Sequence, residues 1–194
     1  MAKISNYNFA SNPSATDWLL GTDTESSYST NNFKISDVLK LTNRGSFYDT
    51  TSQTAAAINT AYPIKLNTVN TSLTTGFTIA NNGSSNPTRI TASNDAIYNL
   101  VVSAQVYNAS GTDGVIDIWV RVNGTDVVYS NTSITVKASS GYNVITRNFA
   151  IPLSLNQYAE IMWATANTSV QFSTTASTGV RPAAPSVSVT INQI

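Results

Sequence analysis

The chain has 194 residues, and its ten basic and ten acidic residues give a formal net charge of zero. It contains no His and no Cys, which excludes disulfides, thiolate metal sites, cysteine nucleophiles and a Ser-His-Asp triad. The balanced charge offers no electrostatic attraction for nucleic acid or for an anionic membrane. Ser, Thr and Asn make up about 38% of the residues, a composition that suits polar strands and turns on an extracellular or virion surface better than an ordinary enzyme.

Targeting segments are not found in the sequence. Residues Met1 to Asn6 include no apolar core of the kind that a signal peptide needs. No apolar run approaches the roughly 18 residues of a membrane span. We therefore expect synthesis in a cytoplasm and no insertion into a membrane.

Residues 1–44 differ from the rest of the chain. Trp18–Asp23 is a small apolar cluster followed by a turn, and Ser26–Asn32 is polar and predicted to be a loop. Ser36 can cap a short helix that continues to Leu41, because its hydroxyl can accept a backbone N–H of the first turn. A piece of this size cannot bury enough apolar surface alone, so it needs a partner, either its own copies or another protein.

The predicted boundary lies at Asn43–Gly45, which separates the N-terminal segment, residues 1–44, from a β domain, residues 45–194. Thr54–Ala61 is rich in alanine, but its Thr and Asn flanks and the following Tyr62–Pro63 favour an extended edge segment over a helix. Further strands are predicted at Phe77–Ile79, Arg89–Thr91, Ala96–Val106, Ser133–Lys137, Asn143–Leu153, Tyr158–Ala164, Val170–Ser173 and Ser186–Ile194.

The strongest single pattern is a hairpin over Gly114–Tyr129. Asn123-Gly124 suits a two-residue type I′ turn, because both positions need a positive φ. This turn places Arg121 opposite Asp126 and continues the pairing as far as Ile118 with Tyr129. The predicted core face carries Ile116, Ile118, Val120, Val122, Val127 and Tyr129. The other face carries Asp117, Trp119, Arg121, Asp126 and Val128.

Alternation of apolar and polar residues recurs in the later strands. One face of Ala96–Val106 is apolar throughout, and Val187, Val189, Ile191 and the terminal residue are expected to point inward. Short strands at this spacing indicate a sandwich or a barrel. Long loops between several of them favour an all-β, antiparallel jelly roll over a meander.

A set of short motifs resembles a domain common in structural proteins of tailed bacteriophages. The motifs are Gly45–Tyr48, Thr54–Ala61, Tyr98–Gln105, Asp117–Asp126, Tyr158–Trp163 and Ala184–Gln193. The domain is similar to the trimeric jelly rolls of the tumour-necrosis-factor and complement globular-head group, although Ala96 stands where that group often has Gly. Lys3–Ser5, Asp17–Asp23 and Asn32–Leu39 are similar to opening segments of phage tail and fibre proteins.

This resemblance implies a homotrimer on a virion, assembled in the host cytoplasm. The N-terminal segment would join the particle, and the jelly roll would be displayed outward. The candidate attachment residues are Trp18, Leu19, Leu20, Phe33, Val38 and Leu39. The candidate trimer-interface residues are Tyr98, Trp119, Arg147, Phe149 and Trp163.

The residues themselves leave alternatives open at these positions. Trp119 and Trp163 can stack on a sugar ring, although packing in the core or between subunits is the favoured interpretation. Tyr98 and Phe149 fit either a threefold axis or the core of a single chain. Arg147 lies on an otherwise apolar face, so it needs a carboxylate, for which Glu160 is a candidate, or a wet interface.

Asp113, Asp117 and Asp126 lie close in sequence, which permits a calcium site. Ion pairing of Asp117 and Asp126 with Arg121 is favoured instead, because all three share a face. The β domain has only six acidic residues, and none forms the paired arrangement that a glycosidase needs. We therefore expect no enzyme activity and no cofactor.

Three functions remain. The first is a trimeric virion protein, a fibre or host-receptor-binding tip, whose loops, such as Asn81–Pro87, Ala109–Gly114 and Ala138–Asn143, bind host polysaccharide or protein. The second is a purely architectural capsid decoration or collar protein. The third is a free lectin-like module, which the N-terminal segment disfavours.

Overall fold

The structure is a computed structural model, and it describes residues 18–23, 29–34, 43–139 and 141–194. The chain divides into two compact units, Met1–Thr42 and Asn43–Ile194. None of the described segments forms a helix with the length and hydrophobicity that crossing a bilayer requires.

In the first unit, the described residues form an antiparallel hairpin. Strand β1, Trp18–Asp23, pairs with β2, Ser29–Lys34, from Trp18 opposite Lys34 to Asp23 opposite Ser29. The loop predicted at Ser26–Asn32 is therefore wrong from Ser29 onward, because backbone pairing accepts polar residues wherever their N–H and C=O groups find partners. Of the predicted attachment residues, Trp18 and Leu19 are exposed, and Leu20 and Phe33 lie on β1 and β2. The helix predicted from Ser36 to Leu41, with Val38 and Leu39, lies outside the described residues.

The second unit is built from short strands and one 3₁₀ turn, Thr71–Leu73. The strands are β3 Arg44–Asp49, β4 Gln53–Thr54, β5 Tyr62–Pro63, β6 Thr68–Val69, β7 Phe77–Asn81, β8 Pro87–Ala92, β9 Ala96–Asn108, β10 Gly114–Val122, β11 Thr125–Asp126, β12 Thr132–Val136, β13 Asn143–Leu153, β14 Tyr158–Thr165, β15 Val170–Phe172 and β16 Val187–Gln193. Thr54–Ala61 is not helical, as predicted, but the predicted extended edge segment is wrong after Thr54, because bends and a turn follow and Asn59 has a positive φ of 52°.

The strands form two antiparallel sheets. Sheet I has the order β7-β8-β14-β10-β11, with β5 on β14 and β12 on β10. Sheet II is centred on β9, which pairs with β13 along one side and with β16 and β15 along the other. β16 is followed by β3 and then β6, and β15 is followed by β4. The chain passes repeatedly from one sheet to the other, as in β9 to β10, β12 to β13 and β13 to β14. The prediction of an all-β, antiparallel jelly-roll sandwich is confirmed.

The core lies between the sheets, and it is filled by the inward-facing side chains of the strands that were predicted from their alternation. On β9, Tyr98, Leu100, Val102, Ala104 and Val106 are fully buried. The inward prediction is wrong for Ile194, which is 72% exposed. Alternation explains this, because Val187, Val189 and Ile191 are odd-numbered and share one face of the strand, whereas Ile194 is even-numbered and falls on the opposite face.

The hairpin predicted over Gly114–Tyr129 is confirmed at its turn. Asn123 and Gly124 have φ values of 47° and 82°, and Arg121 pairs with Asp126. The prediction fails beyond this point, because β12 replaces β11 as the partner of β10 along Gly114–Ile118. Residues 127–131 therefore leave the sheet as a loop. Val127 is partly exposed and Tyr129 fully exposed, where the pattern predicted both in the core.

Asn43 and Arg44 belong to the sandwich. The Asn43 carbonyl accepts a hydrogen bond from the Gln193 N–H at 2.8 Å, and the Asn43 side chain donates to the Tyr98 hydroxyl at 3.4 Å. Gly76, with a φ of 78°, lies against this side chain so closely that an added Cβ would overlap it. The compact unit thus begins two residues before the predicted domain start at Gly45.

Candidate functional site

Three of the predicted interface residues lie inside the single chain. Tyr98 and Trp163 are fully buried, and Phe149 is buried in the same core cluster. Trp163 on β14 packs against Phe172 on β15, with ring centroids 4.6 Å apart, so it joins sheet I to sheet II. These side chains expose too little surface to contact a neighbouring subunit, and Trp163 has no open face for a sugar.

Trp119 has the opposite environment. It lies on the outward face of β10, opposite Met162 on β14, and is partly exposed. Its indole Nε1–H donates to Asp126 Oδ1 at 2.8 Å, and Arg121 Nε donates to the same oxygen at 2.8 Å. This shared acceptor fixes the orientation of the indole, because a donor-only ring nitrogen has one direction of hydrogen bonding.

The Trp119 depression is an open hollow of about 450 Å³ beside this indole. Its lining combines two aromatic rings, two carboxylates and two side-chain amides with Val127 and Ala164: Asn59, Asp117, Trp119, Asp126, Val127, Tyr129, Asn131 and Ala164. Asp117 Oδ1 accepts hydrogen bonds from Asn131 Nδ2 at 3.1 Å and from Ser133 Oγ. The depression therefore presents polar groups of fixed direction around an aromatic surface.

Tyr129 and Asn59 were not predicted as site residues. Tyr129 was assigned to the core, and only the change of partner from β11 to β12 brings it out. Its φ is 63°, a left-handed conformation that a bulky residue rarely adopts. Asn59, with a φ of 52°, comes from the segment between β4 and β5. No local sequence pattern connects that segment to β10.

The calcium alternative is not supported by the positions of the three aspartates. Asp113 pairs with Lys137 at 2.8 Å, whereas Asp126 pairs with Arg121 and Asp117 bonds to Asn131 and Ser133. The favoured ion pairing is confirmed for Asp126 and is wrong for Asp117. Among the described residues, no group of three or more His, Cys, Asp or Glu side chains is placed to hold a metal ion.

The Arg121–Asp126 pair affects the charge of the depression. The hydrogen bond from Arg121 lowers the pKa of the Asp126 carboxyl below its ordinary value of 3.8, and the bond from Trp119 acts in the same direction, while partial burial opposes both. The same pair raises the pKa of Arg121. Asp126 is therefore ionised throughout the neutral range.

Asp126→Asn should lower the free energy of unfolding at pH 7 by about 0.5 kcal/mol, because the carboxylate side chain is 53% exposed and solvent screens the pair. Since the folded-state pKa is depressed, this stabilisation is present above the ordinary carboxyl pKa and is lost as the pH falls through the folded-state value. Urea unfolding of the wild type and of Asp126→Asn at pH 7 and at pH 3 measures the stabilisation that the carboxylate gives at each pH. In an Arg121→Met background, the substitution should cost nothing further at pH 7, and a full cost there would contradict the pairing.

A second surface is the β12–β13 seam, lined by Thr132, Ile134–Lys137 and Asn143–Arg147. It is a cleft of about 440 Å³ between the outer edges of the two sheets. In the described residues, β12 pairs only with β10, and β13 pairs only with β9. Two unpaired strand edges therefore flank the cleft.

Arg147 is half-buried in this seam, and its Nε is buried without a hydrogen-bond acceptor among the described residues. The predicted partner Glu160 is engaged elsewhere. It accepts from the Thr88 hydroxyl at 2.6 Å and lies 3.7 Å from Arg89 Nε, while the Arg89 guanidinium covers the Tyr158 ring. Pairing of Arg147 with Glu160 is therefore wrong, because β14 carries Glu160 toward β8 and away from β13.

Two of the predicted display loops contact each other. Asp113, in the β9–β10 loop, accepts hydrogen bonds from Lys137 Nζ and from the Ala138 N–H, both at 2.8 Å. The Ser139 N–H donates to the Ser110 carbonyl at 2.9 Å. The loops at Ala109–Gly114 and Ala138–Asn143 thus form one surface.

Comparison with protein-family models gives no match for this chain, and comparison with curated proteins gives none either.

Proposed function

We propose that the chain is a structural protein of a tailed-bacteriophage virion that acts as a homotrimer. Its N-terminal segment joins the particle, and its jelly roll is displayed outward as a fibre or receptor-binding tip. The resemblance of the motifs to phage structural proteins supports this proposal. The two-sheet jelly roll supports it as well, because that architecture presents loops and sheet faces on a rigid body.

The observation that carries the self-association is the β12–β13 seam. An unpaired edge strand is a template for pairing with another chain, and proteins usually cover or blunt such edges. From Val144 to Leu153, β13 leaves one edge without a strand partner in the described structure, with Pro152 near its end. Val144, on the same strand, is 67% exposed. A neighbouring copy seated here would cover this apolar surface.

Arg147 gives the seam a requirement for a polar partner. A buried donor without an acceptor costs about 1–3 kcal/mol. A carbonyl or carboxylate oxygen from a neighbouring copy would remove this cost and would fix the position of the two subunits. Arg147 and Trp119 are the two predicted interface residues that keep surface for a contact with another chain.

The alternative is an architectural protein of a capsid or collar that binds no host. The Trp119 depression favours a receptor-binding tip, since a purely cementing protein has no need of a formed hollow lined by aromatic and polar side chains. A receptor binder should show saturable binding to host cells, and substitutions in the depression should abolish that binding. An architectural protein should show no such binding, yet its loss should weaken the particle.

Removal of residues 1–42 should leave a folded trimer that no longer enters particles, because the second unit begins at Asn43 and keeps its own core. The mass of the truncated chain and its abundance in particles assembled by a phage that encodes it measure the two effects. A full-length chain made and purified in parallel is the control. A truncated chain that enters particles at the full-length level would overturn the attachment role.

A further inference from the structure

The geometry points to a neutral saccharide as the ligand of the Trp119 depression, with the ring of one pyranose lying on the Trp119 indole. This inference rests on the receptor-binding form of the proposed function for its biological role. The binding event itself requires only one chain, because all the residues that line the depression belong to it.

The aromatic surface is the first requirement. A pyranose has an apolar face of C–H groups, which packs on a flat aromatic ring and leaves the hydroxyls at the rim of the contact. Trp119 is partly exposed and is held through its Nε1–H by Asp126. Tyr129 lies at the edge of the same hollow with its entire side chain exposed. One ring is therefore fixed, and the second is open to solvent beside it.

The polar groups are the second requirement. Sugar hydroxyls are mainly recognised by carboxylates and amides, since a carboxylate accepts two hydrogen bonds and an amide both donates and accepts. Among the described residues, Oδ2 of Asp117 and Oδ2 of Asp126 accept no hydrogen bond, because the known donors use Oδ1 in each case. The Asn59 side chain also has no partner there. Acceptors and donors of fixed direction thus surround the indole.

Charge separates a neutral sugar from an acidic ligand. Asp126 is offset by Arg121, and Asp117 is held by the neutral Asn131 and Ser133, so the depression has a net negative charge. An acidic sugar or a phosphate would be repelled. An apolar peptide would bury the two carboxylates without donors, which is costly. A volume of about 450 Å³ lies within the range of small-ligand sites.

The test is a binding titration of the purified full-length chain with a panel of neutral sugars. The panel contains the methyl pyranosides of glucose, galactose and mannose, N-acetylglucosamine, and their neutral oligosaccharides, each up to about 10 mM, where weak single-site binding is detected. Calorimetry measures the affinity, with choline and N-acetylneuraminic acid as charged comparison ligands. At least one neutral sugar should bind, and neither charged ligand should bind more tightly.

Four substitutions test the site, and a fifth is the matched control. Trp119→Ala should reduce the affinity at least tenfold, and Asp117→Asn and Tyr129→Ala should reduce it severalfold. Leu73→Ala removes an exposed large side chain that lies outside both the depression and the predicted display loops, and it should leave the affinity unchanged. Trp119→Phe keeps an aromatic face, so it should retain part of the binding if Trp119→Ala is poorly folded.

Three outcomes would overturn the inference: no binding of any neutral sugar in the panel, tighter binding of choline or the acidic sugar, or binding that survives both Trp119→Ala and Asp117→Asn. The mass of the chain in solution is measured on the same samples. A monomer that binds a sugar through Trp119 keeps this inference and removes the trimer. A trimer that binds none of the sugars keeps the trimer and removes this inference.

Discussion

Trp163→Ala should lower the free energy of unfolding by about 3–5 kcal/mol, the range for removing a large aromatic side chain from a packed core. Trp163 is 1% exposed, and it contacts Phe172 of sheet II and, at 6.1 Å between ring centroids, Tyr62 of β5. Its loss would leave a cavity where the two sheets meet. Denaturant unfolding of the full-length chain at one fixed protein concentration measures the change, because association in the proposed trimer would also contribute to the apparent stability.

Val180→Ala is the matched control, since Val180 is almost fully exposed. That substitution should change the free energy of unfolding by less than about 0.5 kcal/mol. A Trp163→Ala chain as stable as the wild type would mean that Trp163 is not a core residue. In that case the packing of β14 against sheet II would be incorrect.

Arg147→Met should dissociate the proposed trimer while leaving the fold of each chain intact. Methionine keeps the length of the side chain but removes the buried donor, so the isolated chain should be as stable as the wild type or more stable. The proposed trimer would lose the contact that we expect the guanidinium to make with a neighbouring copy. Removing one partner of a buried charged contact costs about 2–5 kcal/mol of association free energy, and the concentration at which the trimer dissociates should rise accordingly.

Arg181→Met is the control for this substitution, because Arg181 is exposed and does not line the seam. It should change neither the mass nor the stability. Sedimentation at several concentrations measures the dissociation of each variant. If Arg147→Met unfolds more easily and yet keeps the wild-type mass, the guanidinium stabilises the single chain and the seam is not the interface.

Local patterns predict the strands well because each inward face of a sandwich leaves a period of two in the sequence. On β9, β10 and β16 the buried residues follow that period, and at Asn123-Gly124 the turn chemistry fixes the register.

The wrong predictions concern strand pairings that depend on residues distant in the sequence. β10 can pair with the residues after its turn or with Thr132–Val136, and both continue a strand pattern. The structure uses both in turn, which turns Tyr129 outward and forms the loop beside Trp119. The partner of Glu160 is decided in the same way. Its strand lies beside β8, so Arg89 is near and Arg147 is not.

The candidate site was predicted only in part, for the same reason. Alternation placed Asp117, Trp119 and Asp126 on one face, and that placement is correct. Asn59, Tyr129 and Asn131 join them through loops whose paths depend on the whole sandwich. Tyr98, Phe149 and Trp163 could be placed on strand faces, but the pattern does not distinguish a core between two sheets from an interface between two chains.

The homotrimer is tested most directly by the absolute mass of the full-length chain, measured by light scattering after size exclusion. One chain has a mass of 20.7 kDa, so the proposal predicts about 62 kDa, three times that value, over a wide range of concentrations. The Arg147→Met chain should approach the mass of one chain as it is diluted. A wild-type mass of one chain at every concentration would contradict the trimer and the role given to the β12–β13 seam.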